Sequence, residues 1–107
     1  MPETLFTIRL PDGETKDCYS PSSVVRSYFA AGEEMPVGEF LARSREALTE
    51  ASERVRTKFG FACSSALAQL GEIEHFTRGY PADGTVRVVE LRDLNQHPQA
   101  ARAAARR

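Results

Sequence analysis

Cys18 stands in the string Cys18-Tyr19-Ser20-Pro21, immediately ahead of residues that read as a helix start. A thiol close to a helix N-terminus meets unpaired amides and the positive end of the helix dipole. Both lower its pKa and favour a nucleophilic thiolate. Cys18 is therefore the candidate catalytic thiol, of the kind that redox and sulfur-carrying proteins use. The competing reading is a small residue packed at a strand end. No second cysteine stands at Cys-x-x-Cys spacing, which excludes a local dithiol couple. Cys63 falls on an apolar helical stripe with Ala66, Leu67 and Leu70, where a thiol behaves as a small hydrophobe. A Cys18–Cys63 couple has no support from spacing.

His75 lies one helical turn from Glu72, and such a pair supplies two metal ligands. A site needs three or four, and nothing nearby in sequence joins them, so a solvated helix face is expected and no metal. His97 lies in the tail and has no role. Glu33-Glu34 reads as solvating charge in a loop rather than as a general acid and base. The chain has no Gly-rich phosphate loop, Gly-x-Ser-x-Gly turn or nucleophile triad, so no cofactor is expected and the residue types weigh against an enzyme. Arg43, Arg45, Arg54, Arg56 and Lys58 alternate with Glu39, Glu46, Glu50 and Glu53. No uniform positive face builds up, and nucleic acid is not an expected partner. Tyr28, Phe29, Phe40, Phe59, Phe61 and Phe76 are many aromatics for a few helices. Phe59 and Phe61 flank a glycine turn; core burial is the ordinary outcome, and an exposed ring there would mark a protein-protein contact.

The elements that must position these residues are readable from period and punctuation. Phe6, Ile8 and Leu10 alternate with Thr7 and Arg9, the pattern of a half-buried strand. Pro11-Asp12-Gly13 supplies hairpin turn chemistry, and Glu14 to Tyr19 follows as a more polar edge strand. Ser20-Pro21-Ser22-Ser23 predicts a first helix burying Val24, Val25, Tyr28 and Phe29. Gly32 ends it, and the segment through Pro36 reads as a loop.

A long helix begins near Val37 to Glu39, with Phe40, Leu41, Leu48, Ala51, Val55 and Phe59 on one stripe. A third helix carries Ala62, Cys63, Ala66, Leu67, Leu70, Ile73 and Phe76. One rod through both would run about 60 Å, too long for a compact domain of this size. A turn at Gly60 and an antiparallel helix pair are therefore expected, the alternative being an extended dimer in which the rod stays continuous. Thr85 to Leu91 predicts a strand beside the first. The expected fold is α+β: an N-terminal β-hairpin, three helices including the antiparallel pair, and a C-terminal strand completing a three-stranded antiparallel sheet. Residues 1–91 form the single domain and 92–107 a flexible Ala/Arg-rich tail.

The chain has 107 residues, 41% of them hydrophobic and 27% charged, values that fit one folded domain. A net charge of −1 hides an asymmetry, since Arg92, Arg102, Arg106 and Arg107 stand against Asp93 alone in the tail and the rest is acidic. No basic stretch followed by an apolar run opens the chain, and no apolar run is long enough to span a bilayer. Neither a signal peptide nor a membrane partner is expected. A cytoplasmic location with free thiols is.

Several strings carry a family resemblance: Pro11-Asp12-Gly13, Cys18-Tyr19-Ser20-Pro21-Ser22, Phe40-Leu41-Ala42-Arg43-Ser44-Arg45 with Ala47-Leu48, and Ala51-Ser52-Glu53-Arg54-Val55-Arg56 through Gly60-Phe61-Ala62-Cys63-Ser64. Taken together, the chain resembles a small bacterial family of nitrogen-starvation response proteins over about residues 3 to 91. Genes of that family tend to lie with a nitrilase, a radical SAM protein, an acetyltransferase, a flavin-dependent oxidoreductase and a synthetase-like protein. The resemblance implies a role in nitrogen acquisition from nitriles or cyanide and carries over no catalytic residue. The expected function is a non-catalytic accessory or interaction protein, a candidate homodimer, that binds a partner enzyme or subunit of the nitrile pathway. The alternative is a thiol-dependent carrier or small enzyme using Cys18.

Overall fold

The computed structural model describes residues 3–60 and 64–94. Strand β1 (Thr4–Arg9) leads through the Pro11-Asp12-Gly13 turn into β2 (Thr15–Ser20), and the two pair antiparallel with Phe6 opposite Cys18. Gly13 takes a φ of +92°, which is why glycine stands there. Strand β4 (Thr85–Asp93) pairs antiparallel with the other side of β1. Across this pair the register shifts by one residue between Thr7, opposite Glu90, and Ile8, opposite Val88. The resulting bulge turns Val89 outward and re-phases the strand, so that Val86 and Val88 face the core, Val89 and Glu90 face solvent, and Leu91 turns back in.

Two parts of the expected fold are corrected. The stretch after Ser20 is not the expected first α-helix but a short 3-10 helix, Ser23–Ser27. Ser22 caps it by accepting the Val24 amide, and Tyr28 donates back to the Val25 carbonyl. The β-branched pair Val24-Val25 propagates an α-helix poorly, and one tight turn is enough to deliver Phe29 to the core. The segment before the long helix is not wholly a loop either. Strand β3 (Glu34–Pro36) lies on the far edge of β4, buries Met35 and makes the sheet four-stranded, in the order β2-β1-β4-β3. Pro36 is tolerated because an edge strand need not donate on its outer side. Among the described residues the fold is thus α+β, with two α-helices and a four-stranded antiparallel sheet.

Helix α1 (Val37–Phe59) starts against the turn that precedes β4: the Val37 and Gly38 amides donate to the Gly84 and Ala82 carbonyls, at 2.8 and 3.0 Å. These backbone caps replace the side-chain cap that Pro36 cannot provide. The helix ends at Gly60, φ +87°, whose amide returns to the Arg56 carbonyl in the left-handed cap expected from sequence. Helix α2 (Ser64–Thr77) then runs back along α1, and Arg45 of α1 meets Glu74 of α2 at 3.1 Å.

Both helices cover one face of the sheet, and the core between them holds Phe6, Ile8, Cys18, Phe29, Phe40, Leu48, Ile73, Val86 and Val88. Phe29 stacks on Phe6 with centroids 5.6 Å apart and tilts against Phe40 at 5.5 Å, joining sheet, 3-10 turn and helix. The Arg43 guanidinium ties the intervening loop down by donating to the Tyr28 carbonyl at 3.0 Å and to Glu33 at 2.8 Å, with Glu39 on its other nitrogen.

A Cβ on Gly84 would stand 2.9 Å from Pro11 Cγ and 3.2 Å from the Pro81 carbonyl oxygen. Both neighbours are rigid, so Gly84→Ala is expected to lower stability by about 1–3 kcal/mol in urea unfolding. Gly71→Ala on α2, where nothing lies within 4 Å, is expected instead to raise it by up to about 1 kcal/mol. The Ser44 hydroxyl is buried on α1 and has no hydrogen-bond partner among the described residues. Ser44→Ala removes that orphaned group and improves helix propensity, for an expected gain of about 1 kcal/mol in the same measurement.

Candidate functional site

The apolar stripe of α1 outruns the sheet beneath it. Phe40, Ala47, Leu48 and Ala51 are buried, Val55 is half-buried, and Phe59 at the helix end is 57% exposed. On α2, Ala66 and Ile73 are buried while Leu67, in the first turn, is 51% exposed. Both exposed side chains therefore sit at the Gly60 end of the helix pair. Lys58 Nζ lies 5.7 Å from the centroid of the Phe59 ring, and Arg54–Glu50 and Arg56–Glu53 ion pairs at 3.2 and 3.3 Å form a polar surround. An apolar tip rimmed by such pairs is the usual make-up of a protein contact. Phe59 was the sequence candidate for this role. Phe61 and Cys63 lie outside the described residues. Leu67 was missed, because Ala66, Leu67 and Leu70 share a helical stripe and period alone does not say which of two neighbours turns inward.

Cys18 is fully buried in β2, facing the core opposite Phe6. Burial, with smaller contributions from the Glu72 and Asp17 carboxylates, pushes its thiol up to about 12. The short helix that follows starts only at Ser23, and Cys18 belongs to the hydrophobic core rather than to that helix end. The signal for this was strand parity, since Cys18 and Ser20 alternate with Asp17 and Tyr19. Nearby, the Tyr19 amide on the outer edge of β2 donates to Gln69 Oε1 of α2 at 3.0 Å, which blocks that part of the edge from further pairing.

The remaining candidates are held in structural contacts or in solvent. His75 and Glu72 lie exposed on α2. Among the described residues no three His, Cys, Asp or Glu side chains converge as a metal site. The Glu33-Glu34 pair is divided: Glu33 joins Arg43, and Glu34 lies 3.5 Å from Arg87 on the sheet. No helix among the described residues is long and apolar enough to cross a membrane.

Three carboxylates are held below their usual range. Arg43, then the Ala30 amide, lowers Glu33; the Tyr28 hydroxyl, then Arg54, lowers Glu50; and the Glu14 amide, then the Tyr80 hydroxyl, lowers Asp12. Each is depressed in the folded state, so its contribution is present above the ordinary carboxylate values of 4.5 and 3.8 and is lost as pH falls below them. The urea midpoint is expected to drop between pH 6 and pH 3, and Arg43→Gln is expected to flatten that drop.

Residues 5–91 match the family model described as nitrogen starvation-induced protein NitG. The chain belongs to this family. The NitG match runs from β1 to Leu91 of β4 and so takes in Cys18, Phe59 and Leu67 alike. No curated protein and no solved structure is significantly similar to the chain.

Proposed function

We propose that this member of the NitG family acts in nitrogen-starved cells as a non-catalytic accessory protein, docking a protein partner at the Gly60 end of its helix pair. The observation that carries the reading is the exposure of Phe59 and Leu67 together at that end, where the α1 stripe continues beyond the core. Large apolar side chains inside a polar surround are what an anchor residue offers a partner pocket. Gene neighbourhood implied by the family resemblance makes an enzyme of nitrile or cyanide nitrogen assimilation, in the cytoplasm, the partner of choice.

The thiol-dependent alternative draws no support from the placement of Cys18, because a buried thiol near pKa 12 is neutral at physiological pH and shielded from substrate. The proposal is tested by recovering tagged full-length protein from nitrogen-starved cells of its host. Enrichment of one defined partner over an unrelated tagged protein of similar size is expected. Equal recovery from both would overturn the proposal.

A further inference from the structure

On the solvent side of the sheet the register sets Arg9 of β1 directly opposite Arg87 of β4, and Arg87 opposite Glu34 of β3. Like charges in facing positions repel. Glu34 relieves this weakly, since its carboxylate stands 3.5 Å from Arg87 and both side chains are more than half exposed. Elsewhere among the described residues every arginine but Arg78 is matched to an acid, as Arg26 is to Asp93, Arg43 to Glu33 and Glu39, Arg45 to Glu74, and Arg92 to Glu90. The Arg9 side chain has neither an ion pair nor a hydrogen bond among them, a state shared with Arg78.

Beside the two guanidiniums lies an open hollow of about 360 Å³, lined also by Leu10, Pro11, Gly13, Thr85 and the single carboxylate of Glu34. Its turn wall is firmly built, because the Asp12 carboxylate accepts from the Glu14 amide and from the Tyr80 hydroxyl, each at 3.0 Å, and Gly13 donates to the Leu10 carbonyl at 2.8 Å.

We propose that this hollow binds an oxyanion, the phosphate or carboxylate group of a small molecule, between Arg9 and Arg87, with the Thr85 hydroxyl as a further donor. Two guanidiniums against one carboxylate leave positive charge in excess, and planar forks suit the paired oxygens of such an anion. The bound anion removes the repulsion that the register builds in. The site lies on the open face of the sheet and is independent of the helix tip.

The test is a titration of the ¹⁵N-labelled full chain with inorganic phosphate and, separately, with succinate, each against sodium chloride at equal ionic strength. Saturable shifts of the Arg9, Gly13, Thr85 and Arg87 amides are expected. Arg9→Gln and Arg87→Gln should each weaken binding about tenfold, the loss of one charge-assisted hydrogen bond at an exposed site, while Arg78→Gln leaves it unchanged. Saturation by phosphate alone assigns a phosphoryl ligand, by succinate alone a carboxylate, and by both a general oxyanion site. Shifts that chloride reproduces, that do not saturate, or that persist in both variants overturn the proposal. Urea midpoints no lower than that of the wild-type protein confirm that the variants remain folded.

Discussion

Phe29→Ala is expected to cost about 3–5 kcal/mol, as the loss of a buried aromatic ring does. Phe29 is 3% exposed and stands between Phe6 of the sheet and Phe40 of α1, so its removal leaves a ring-sized void facing both. No neighbour fills it easily, since the backbone at that point is already committed to the 3-10 turn and to the Arg43 clamp. Against a total stability of about 5–15 kcal/mol for an ordinary domain, the variant should unfold at a much lower urea concentration and approach partial unfolding at 37 °C. Phe59→Ala is the matched control. The same ring is deleted where it is largely in water, and the expected change is within about 0.5 kcal/mol.

The second large effect is kinetic. At pH 8 iodoacetamide should modify Cys18 in the native protein at least a thousandfold more slowly than in guanidinium chloride, when the peptides containing Cys18 and Cys63 are followed separately by mass. A pKa of about 12 in place of the ordinary 9.0 reduces the thiolate by about that factor, and burial adds a barrier of access. Comparable native and denatured rates would return Cys18 to the list of reactive groups. The same shift has a consequence for stability. Because the folded value is raised, the contribution is intact below pH 9.0 and is lost as pH climbs toward 12. Cys18→Ala is expected to lessen this alkaline loss in the urea midpoint, at some cost in packing at neutral pH.

How legible the molecule was in its sequence differs from element to element, for physical reasons. β1, the Pro-Asp-Gly turn and the fold-back at Gly60 were readable, because strict alternation and left-handed glycine positions are local properties. β3 was not, since three residues with Met35 alone pointing inward carry no period, and Pro36 argues for a loop until an edge is available to receive it. The bulge in β4 was hidden too. Val88 and Val89 are chemically alike, and only the register against β1 decides that one faces the core and the other water.

At the candidate site, helical spacing correctly put Phe59 on the stripe of Phe40 and Leu48. How far the sheet extends beneath that stripe depends on strand lengths and on the angle of α1, which no local pattern encodes. Cys18 shows the reverse case. Its position ahead of a helix start suggested a reactive thiol, whereas the parity of β2 turns it into the core.

The most direct test of the central claim, that this protein works through the exposed end of its helix pair, is partner recovery by a Phe59→Ser/Leu67→Ser double variant. Both positions are exposed, so the urea midpoint should stay close to that of the wild-type protein. Recovery of the partner from nitrogen-starved cells should fall at least about tenfold, the loss of one anchor contact worth about 1.4 kcal/mol or more. Recovery equal to that of the wild type would contradict the account.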